Sequence, residues 1–99
     1  MIARVQKDGN YIEVYDAKGK KLKRSYNNGE LLGNSDSIVL VKDGNHIEVL
    51  DENLKQIKRM FCKFDRFIGA SGETFSVQDG NYAETYDKKG KKLSRTFSK

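Results

Sequence analysis

The sequence predicts an all-β protein of about eleven short strands, organised as three tandem antiparallel sheet repeats of about 35 residues. Three observations lead there. The chain spells nearly the same segment three times: DGNYIEVYDAKGKKLKRSY from Asp8 to Tyr26, DGNHIEVLDENLKQIKRMF from Asp43 to Phe61, and DGNYAETYDKKGKKLSRTF from Asp79 to Phe97. Each copy opens on an Asp-Gly dipeptide, which accepts the positive φ that both centres of a type I′ hairpin turn require. The chain contains no proline, and no apolar period of the helical kind is sustained along it. The first and third copies agree at 13 of 19 positions and the first and second at 10, at spacings of 35 and 36 residues, so the repeat is a duplication.

Taken in order, Asp8-Gly9, Asp43-Gly44 and Asp79-Gly80 lie between residues of strand character, so each copy begins with a hairpin. The next turn, Asp16-Ala17-Lys18-Gly19 and its counterpart Asp87-Lys88-Lys89-Gly90, fits a type I turn with glycine in the left-handed bulge position. The middle copy has Leu54 where that glycine belongs, and its turn is expected to differ. The stretches between copies, NNGELLGNSDSIVLV and CKFDRFIGASGETFSV, each have room for one further strand ahead of the hairpin. That makes about four strands per unit. Ninety-nine residues allow a single domain, 1–99, with repeats at 2–28, 37–63 and 73–99 and linking strands between them.

Alternation along the strands separates their faces. In the first copy Ala3, Val5, Ile12 and Val14 share one face, and Arg4, Gln6, Tyr11, Glu13 and Tyr15 the other. The equivalent faces of the middle copy are both apolar: Ile38, Leu40, Ile47 and Val49 on one, Val39, Val41 and Leu50 among those on the other. The third copy is polar on the opposite face from the first, through Thr74, Ser76 and Thr85. Three stacked sheets need this distribution, whereas a closed arrangement around one axis would bury those hydroxyls and expose an apolar face of the middle sheet. The register of each last strand, from Leu22, Ile57 or Leu93, is open. A two-residue loop sets Glu13, Glu48 and Glu84 opposite Arg24, Arg59 and Arg95, and a bulged loop puts them on opposite faces. In either case the Glu and Arg of each copy read as a structural cross-strand device.

The unit GN-x-I-x-V-x-D followed by GKKL, complete in the first copy as Gly9, Asn10, Ile12, Val14, Asp16, Gly19, Lys20 and Leu22, resembles a blade of β-propeller repeats of the NHL or YD kind. Gly44, Asn45, Ile47, Val49 and Asp51 carry part of it in the middle copy. The resemblance implies a propeller-blade-like architecture, but propellers typically have four to eight blades. Three would form an open stack, or half of a six-bladed ring completed by a second copy as a homodimer. A second resemblance competes with it. Gln6-x-Asp8-x-Asn10-x-Ile12 is similar to the sugar-binding motif of the bulb-type mannose lectins, which implies a threefold β-prism and carbohydrate binding. That motif wants a tyrosine at Val14 and glutamines at Val41 and Val77, so only the first site could operate.

Composition narrows the function classes. Nineteen basic against fourteen acidic residues give +5 and a pI near 9.3, which favours an acidic protein or a polyanion as partner. No apolar run reaches membrane-spanning length, and the first residues lack a signal peptide's apolar stretch, so a soluble, cytoplasmic protein without a membrane partner is expected. Cys62 stands alone, without a second thiol for a disulfide or a zinc site. His46, the one histidine, occupies the slot of Tyr11 and Tyr82 in the sister copies and reads as an aromatic on a sheet face. No spacing matches a zinc site, a P-loop or a nucleophile elbow. The chain therefore reads as a non-enzyme without a cofactor.

The candidate binding residues are the turn lysines Lys18, Lys20, Lys21, Lys55, Lys88, Lys89, Lys91 and Lys92, with Tyr11, Tyr15, Tyr82 and Tyr86 as an aromatic platform. Gathered on one rim, the lysines would choose an acidic protein partner, as an adaptor, inhibitor or immunity-type protein does, or serve self-association. With the tyrosines stacking on bases they would instead grip nucleic acid or another polyanion. Lysines in hairpin turns also discourage edge-to-edge aggregation without binding anything.

Overall fold

The computed structural model describes residues 2–97 and contains eleven strands among them. They form three antiparallel sheets. The first holds β1 (Arg4–Asp8), β2 (Tyr11–Tyr15) and β3 (Lys21–Tyr26). The middle sheet holds β4 (Glu30–Asn34), β5 (Val39–Asp43), β6 (His46–Leu50) and β7 (Gln56–Phe61) in that order. The third runs β8 (Arg66–Ser71), β9 (Thr74–Asp79), β10 (Tyr82–Asp87) and β11 (Lys92–Phe97). Each linking strand, β4 and β8, joins the sheet that follows it, so the first sheet has three strands where the others have four.

The sheets stack face to face around two apolar layers. Ile12 and Val14 of the first sheet meet Val39, Val41, Leu50 and Leu54 of the middle one, together with Ile2. On the other side of the middle sheet, Ile38, Leu40, Ile47 and Val49 meet Phe75, Val77 and Tyr86 of the third, with Cys62 beside them. Burial alone accounts for Cys62, and desolvation pushes its thiol pKa up. The repeated face that carries Ile12 in one sheet thus packs on the face that carries the glutamate in the next. The third sheet ends on small polar side chains, with Ser76 and Thr85 hydrogen-bonded to each other at 2.9 Å.

The Asp-Gly-Asn turns close two-residue hairpins, with Asp8 opposite Tyr11, Asp43 opposite His46 and Asp79 opposite Tyr82. The two loop residues are Gly-Asn rather than Asp-Gly, and the glycines alone take positive φ, at +59°, +62° and +62°, which is glycine at the first centre of a type II′ turn and corrects the type I′ expectation. The second turn of each unit is a five-residue loop followed by a bulge. Tyr15 pairs with Lys21 and Val14 with Lys23, leaving Leu22 unpaired, and the same shift recurs at Ile57 and Leu93. The extra residue restores the face. Glu13, Glu48 and Glu84 stand directly opposite Arg24, Arg59 and Arg95 despite the bulged loop.

The middle loop corrects an expectation. With Leu54 in the glycine position, the loop keeps the same hydrogen bonds as its sisters: Leu54 N–H donates to Asp51 O at 2.9 Å, and Asp51 N–H to Lys55 O at 2.9 Å. In all three loops one aspartate Oδ1 accepts two further backbone N–H groups. Leu54 itself takes φ +62°. A left-handed leucine costs about 1–2 kcal/mol, and burial of its side chain between the first two sheets offsets this. Leu54→Gly is therefore expected to lower stability by about 1–3 kcal/mol, since the lost packing exceeds the relieved strain. Gly19→Ala loses about 1–2 kcal/mol for the opposite reason, because nothing near its φ of +83° would reward a side chain. Urea unfolding of the two variants checks both signs.

Candidate interaction surfaces

Each sheet carries a polar cluster built on its central glutamate. On the first sheet the Glu13 carboxylate accepts from Tyr15 Oη at 2.7 Å and Gln6 Nε2 at 2.9 Å. Lys21 Nζ lies 3.0 Å and Arg24 Nε 3.2 Å from its other oxygen. The third sheet repeats this, with Tyr86 Oη at 2.8 Å from Glu84 and both Lys92 Nζ and Arg95 Nε at 3.1 Å. In the middle sheet Leu50 and Gln56 replace the tyrosine and lysine, and Arg59 alone approaches Glu48, at 3.8 Å. Leu50 instead joins the apolar layer between the first two sheets.

These contacts set proton affinities. The hydrogen bond from Tyr15, then those from Gln6 and Lys21, hold Glu13 at about 2, below its ordinary 4.5. Burial pushes Glu84 up, but the Tyr86 and Lys92 hydrogen bonds and the charges of Lys92 and Arg95 outweigh it, and its pKa is lowered. The Tyr15 hydroxyl is raised, chiefly by its bond to Glu13, and Tyr86 by burial and then by Glu84. A carboxylate whose folded pKa is depressed lends stability that is present above its unfolded pKa and lost as pH falls through its folded one. The melting temperature is expected to fall between about pH 4.5 and 2. The Glu13→Gln, Glu84→Gln variant, less stable at pH 7, should converge on the parent across that window when both are followed by circular dichroism.

This geometry redistributes the expected binding residues. Lys21 and Lys92 are corrected from free cations to ion-pair partners of buried glutamates. Lys88 is tied to Glu73 at 2.6 Å. Lys18, Lys20, Lys55, Lys89 and Lys91 remain exposed without an ion pair among the described residues. Their rim is interrupted, because the middle turn places Asp51 and Glu52 beside Lys55. Tyr86 is corrected from platform to core: it is buried and its ring stacks on Phe75 at 5.5 Å. Tyr15 is half-buried, with the Arg4 guanidinium 4.1 Å above its ring. Gln6 spends its amide on Glu13 and Tyr15. Tyr11 and Tyr82 keep exposed rings.

At the hairpin end of each sheet these rings belong to a repeated aromatic group. Tyr11 meets Tyr26, His46 meets Phe61 and Tyr82 meets Phe97, each pair edge to face with centroids 5.7 Å apart. Tyr26, Phe61 and Phe97 are 62%, 65% and 63% exposed, the three most exposed large apolar side chains among the described residues. Arg24 lies 4.2 Å over the Tyr11 ring and Arg95 4.0 Å over Tyr82, while Arg59 reaches Asp43 at 3.3 Å. A signal was available, since an aromatic closes each of the three repeated segments. Its face could not be assigned while the last strand's register was open.

Comparison with protein-family models, with curated proteins and with solved structures yields no match for this chain. The surfaces therefore have to be weighed on their own chemistry.

Proposed function

We propose that the chain is a non-catalytic protein-binding module that holds a partner polypeptide on the aromatic and arginine groups at the hairpin ends of its three sheets. The observation that carries this reading is the recurrence of one exposed ring per sheet, Tyr26, Phe61 and Phe97, each backed by a second ring. Aromatic and arginine side chains supply most of the energy at protein interfaces, because they bury large areas and lose little rotamer freedom. Here the second ring and the strand backbone already fix their geometry, which lowers the ordering cost of association. The Nε groups of Arg24 and Arg95 are spent on Glu13 and Glu84, and the terminal N–H groups of their guanidinium planes over Tyr11 and Tyr82 are left to donate to a partner's carbonyl or carboxylate.

Nucleic acid could use the same rings as stacking platforms. Against it, Asp8, Asp43 and Asp79 stand opposite Tyr11, His46 and Tyr82 and would repel a phosphate backbone. The experiment is photo-crosslinking in the cells that make the protein, with benzoylphenylalanine placed at Phe61 or Phe97 and, for comparison, at Lys18 or Lys89. Polypeptide adducts from the aromatic positions alone support the reading. Adducts confined to the lysine positions, or adducts to nucleic acid, overturn it.

A further inference from the structure

The first sheet is one strand short, and its sister sheets show what is missing. In the middle sheet β4 covers the edge of β5, with Glu30 opposite Lys42, Leu31 opposite Val41 and Gly33 opposite Leu40. In the third, β8 covers β9, with Arg66 opposite Gln78, Phe67 opposite Val77 and Gly69 opposite Ser76. Both strands bulge at an apolar residue, Leu32 or Ile68, immediately before the glycine. The corresponding edge of β1 has nothing paired to it among the described residues. Asp8 and Tyr11 close the two-residue hairpin, so alternation turns the N–H and C=O groups of Val5 and Lys7 away from β2 and toward that open edge.

We infer that the free edge of β1 accepts an extended segment of a partner polypeptide as the fourth strand of the first sheet. The sister strands specify its chemistry. By the 35-residue repeat, Lys7, Gln6 and Val5 stand where Lys42, Val41 and Leu40 stand in the middle sheet. The segment runs antiparallel to β1 and carries a bulged apolar residue followed by glycine, and an acidic residue faces Lys7 as Glu30 faces Lys42. The glycine has a steric reason. A Cβ on Gly33 would lie 2.8 Å from the ring of Phe67 in the next sheet, whereas Gly69, with no sheet beyond it, has nothing within 4 Å. Arg4 and Lys7 against Asp8 leave β1 with one net positive charge, which suits a segment with a single acidic residue.

Among the described residues no segment is left to supply this strand, because the connections between strands are at most five residues long and each is committed to a turn. The Lys7 ammonium reaches the carbonyl of Gly29 without occupying the edge. Lys42 makes the equivalent reach, to the Phe64 ring, while paired with β4.

The probe is the peptide GELLGNS, residues 29–35 of this chain, titrated to about 1 mM against ¹⁵N-labelled protein. Shifts are expected at the Val5 and Lys7 amides. Lys7→Pro removes one outward N–H and none of the backbone bonds to β2 and should weaken the peptide at least tenfold, whereas Lys7→Ala, which loses the side-chain bond to Gly29 and keeps the N–H, should bind it within about threefold of the parent and serves as the reference for melting temperature. Because a free strand binds weakly, the same peptide tethered ahead of Ile2 by a flexible linker gives the second readout. In the tethered protein, hydrogen exchange at Val5 and Lys7 should slow at least tenfold. Unchanged exchange there, shifts at β3, β7 or β11 instead, or Lys7→Pro binding the peptide as the parent does would each overturn the inference. None of these results bears on crosslinking at Phe61 and Phe97, so this proposal and the hairpin-end one fail separately.

Discussion

Phe75→Ala is expected to lower stability by about 3–5 kcal/mol, a large share of the 5–15 kcal/mol typical of a domain. Phe75 is 1% exposed, stacks on Tyr86, and sits on the face of the third sheet that packs on the middle one. Removing the ring leaves a cavity between two sheets whose strands are held by backbone hydrogen bonds and cannot readily collapse into it. At roughly 4–8 °C per kcal/mol for a domain of this size, the melting temperature should drop by about 12–40 °C. Thr96→Ala, on the opposite and exposed face of the same sheet, should stay within about 0.5 kcal/mol. Urea unfolding of both variants measures the asymmetry. Equal effects would mean that the third sheet is not packed by that face.

The second large effect concerns binding. The Tyr26→Ser, Phe61→Ser, Phe97→Ser variant should lose at least about 100-fold in affinity for the crosslinked partner, the loss expected when clustered aromatic anchors are truncated. The same substitutions remove three edge-to-face contacts, each contributing about 0.5–1.5 kcal/mol to the fold, so stability has to be followed in parallel. Replacing Lys18, Lys20, Lys55, Lys89 and Lys91 by glutamine provides the counterpart. It should change affinity only a few-fold and mainly through the salt dependence of association. Isothermal titration at two salt concentrations separates the two surfaces.

The all-β class, the strand number and the stacking of the sheets were legible because the period of two marks Val39, Val41, Leu40 and Val49 as apolar on both faces of one repeat. Gly9, Gly44 and Gly80 likewise announced their turns. Leu54 misled because a missing glycine looks like a different turn, and only its burial between sheets shows how a leucine tolerates φ +62°. Lys21 and Lys92 misled for a related reason. Sequence places them beside a turn, but a bulge at Leu22 or Leu93 rotates them onto the glutamate face. Tyr86 and Tyr15 occupy the same repeat position and still differ in burial, because one faces the middle sheet and the other does not. The exposed row of Tyr26, Phe61 and Phe97 follows from that same bulge.

If a partner is engaged at the hairpin ends and the β1 edge, the two end faces of the stack have to be finished surfaces. On the first sheet Glu13 is satisfied by Gln6, Tyr15, Lys21 and Arg24. On the third, Ser76 and Thr85 satisfy each other. Burying either face against a second copy would desolvate paired polar groups for little apolar gain. Light scattering on a sizing column over a tenfold range of concentration measures this directly. A constant mass of 11.3 kDa is expected. A stable species of twice that mass, abolished by a charge placed at Thr85, would contradict it and make the end faces the interface of a closed ring.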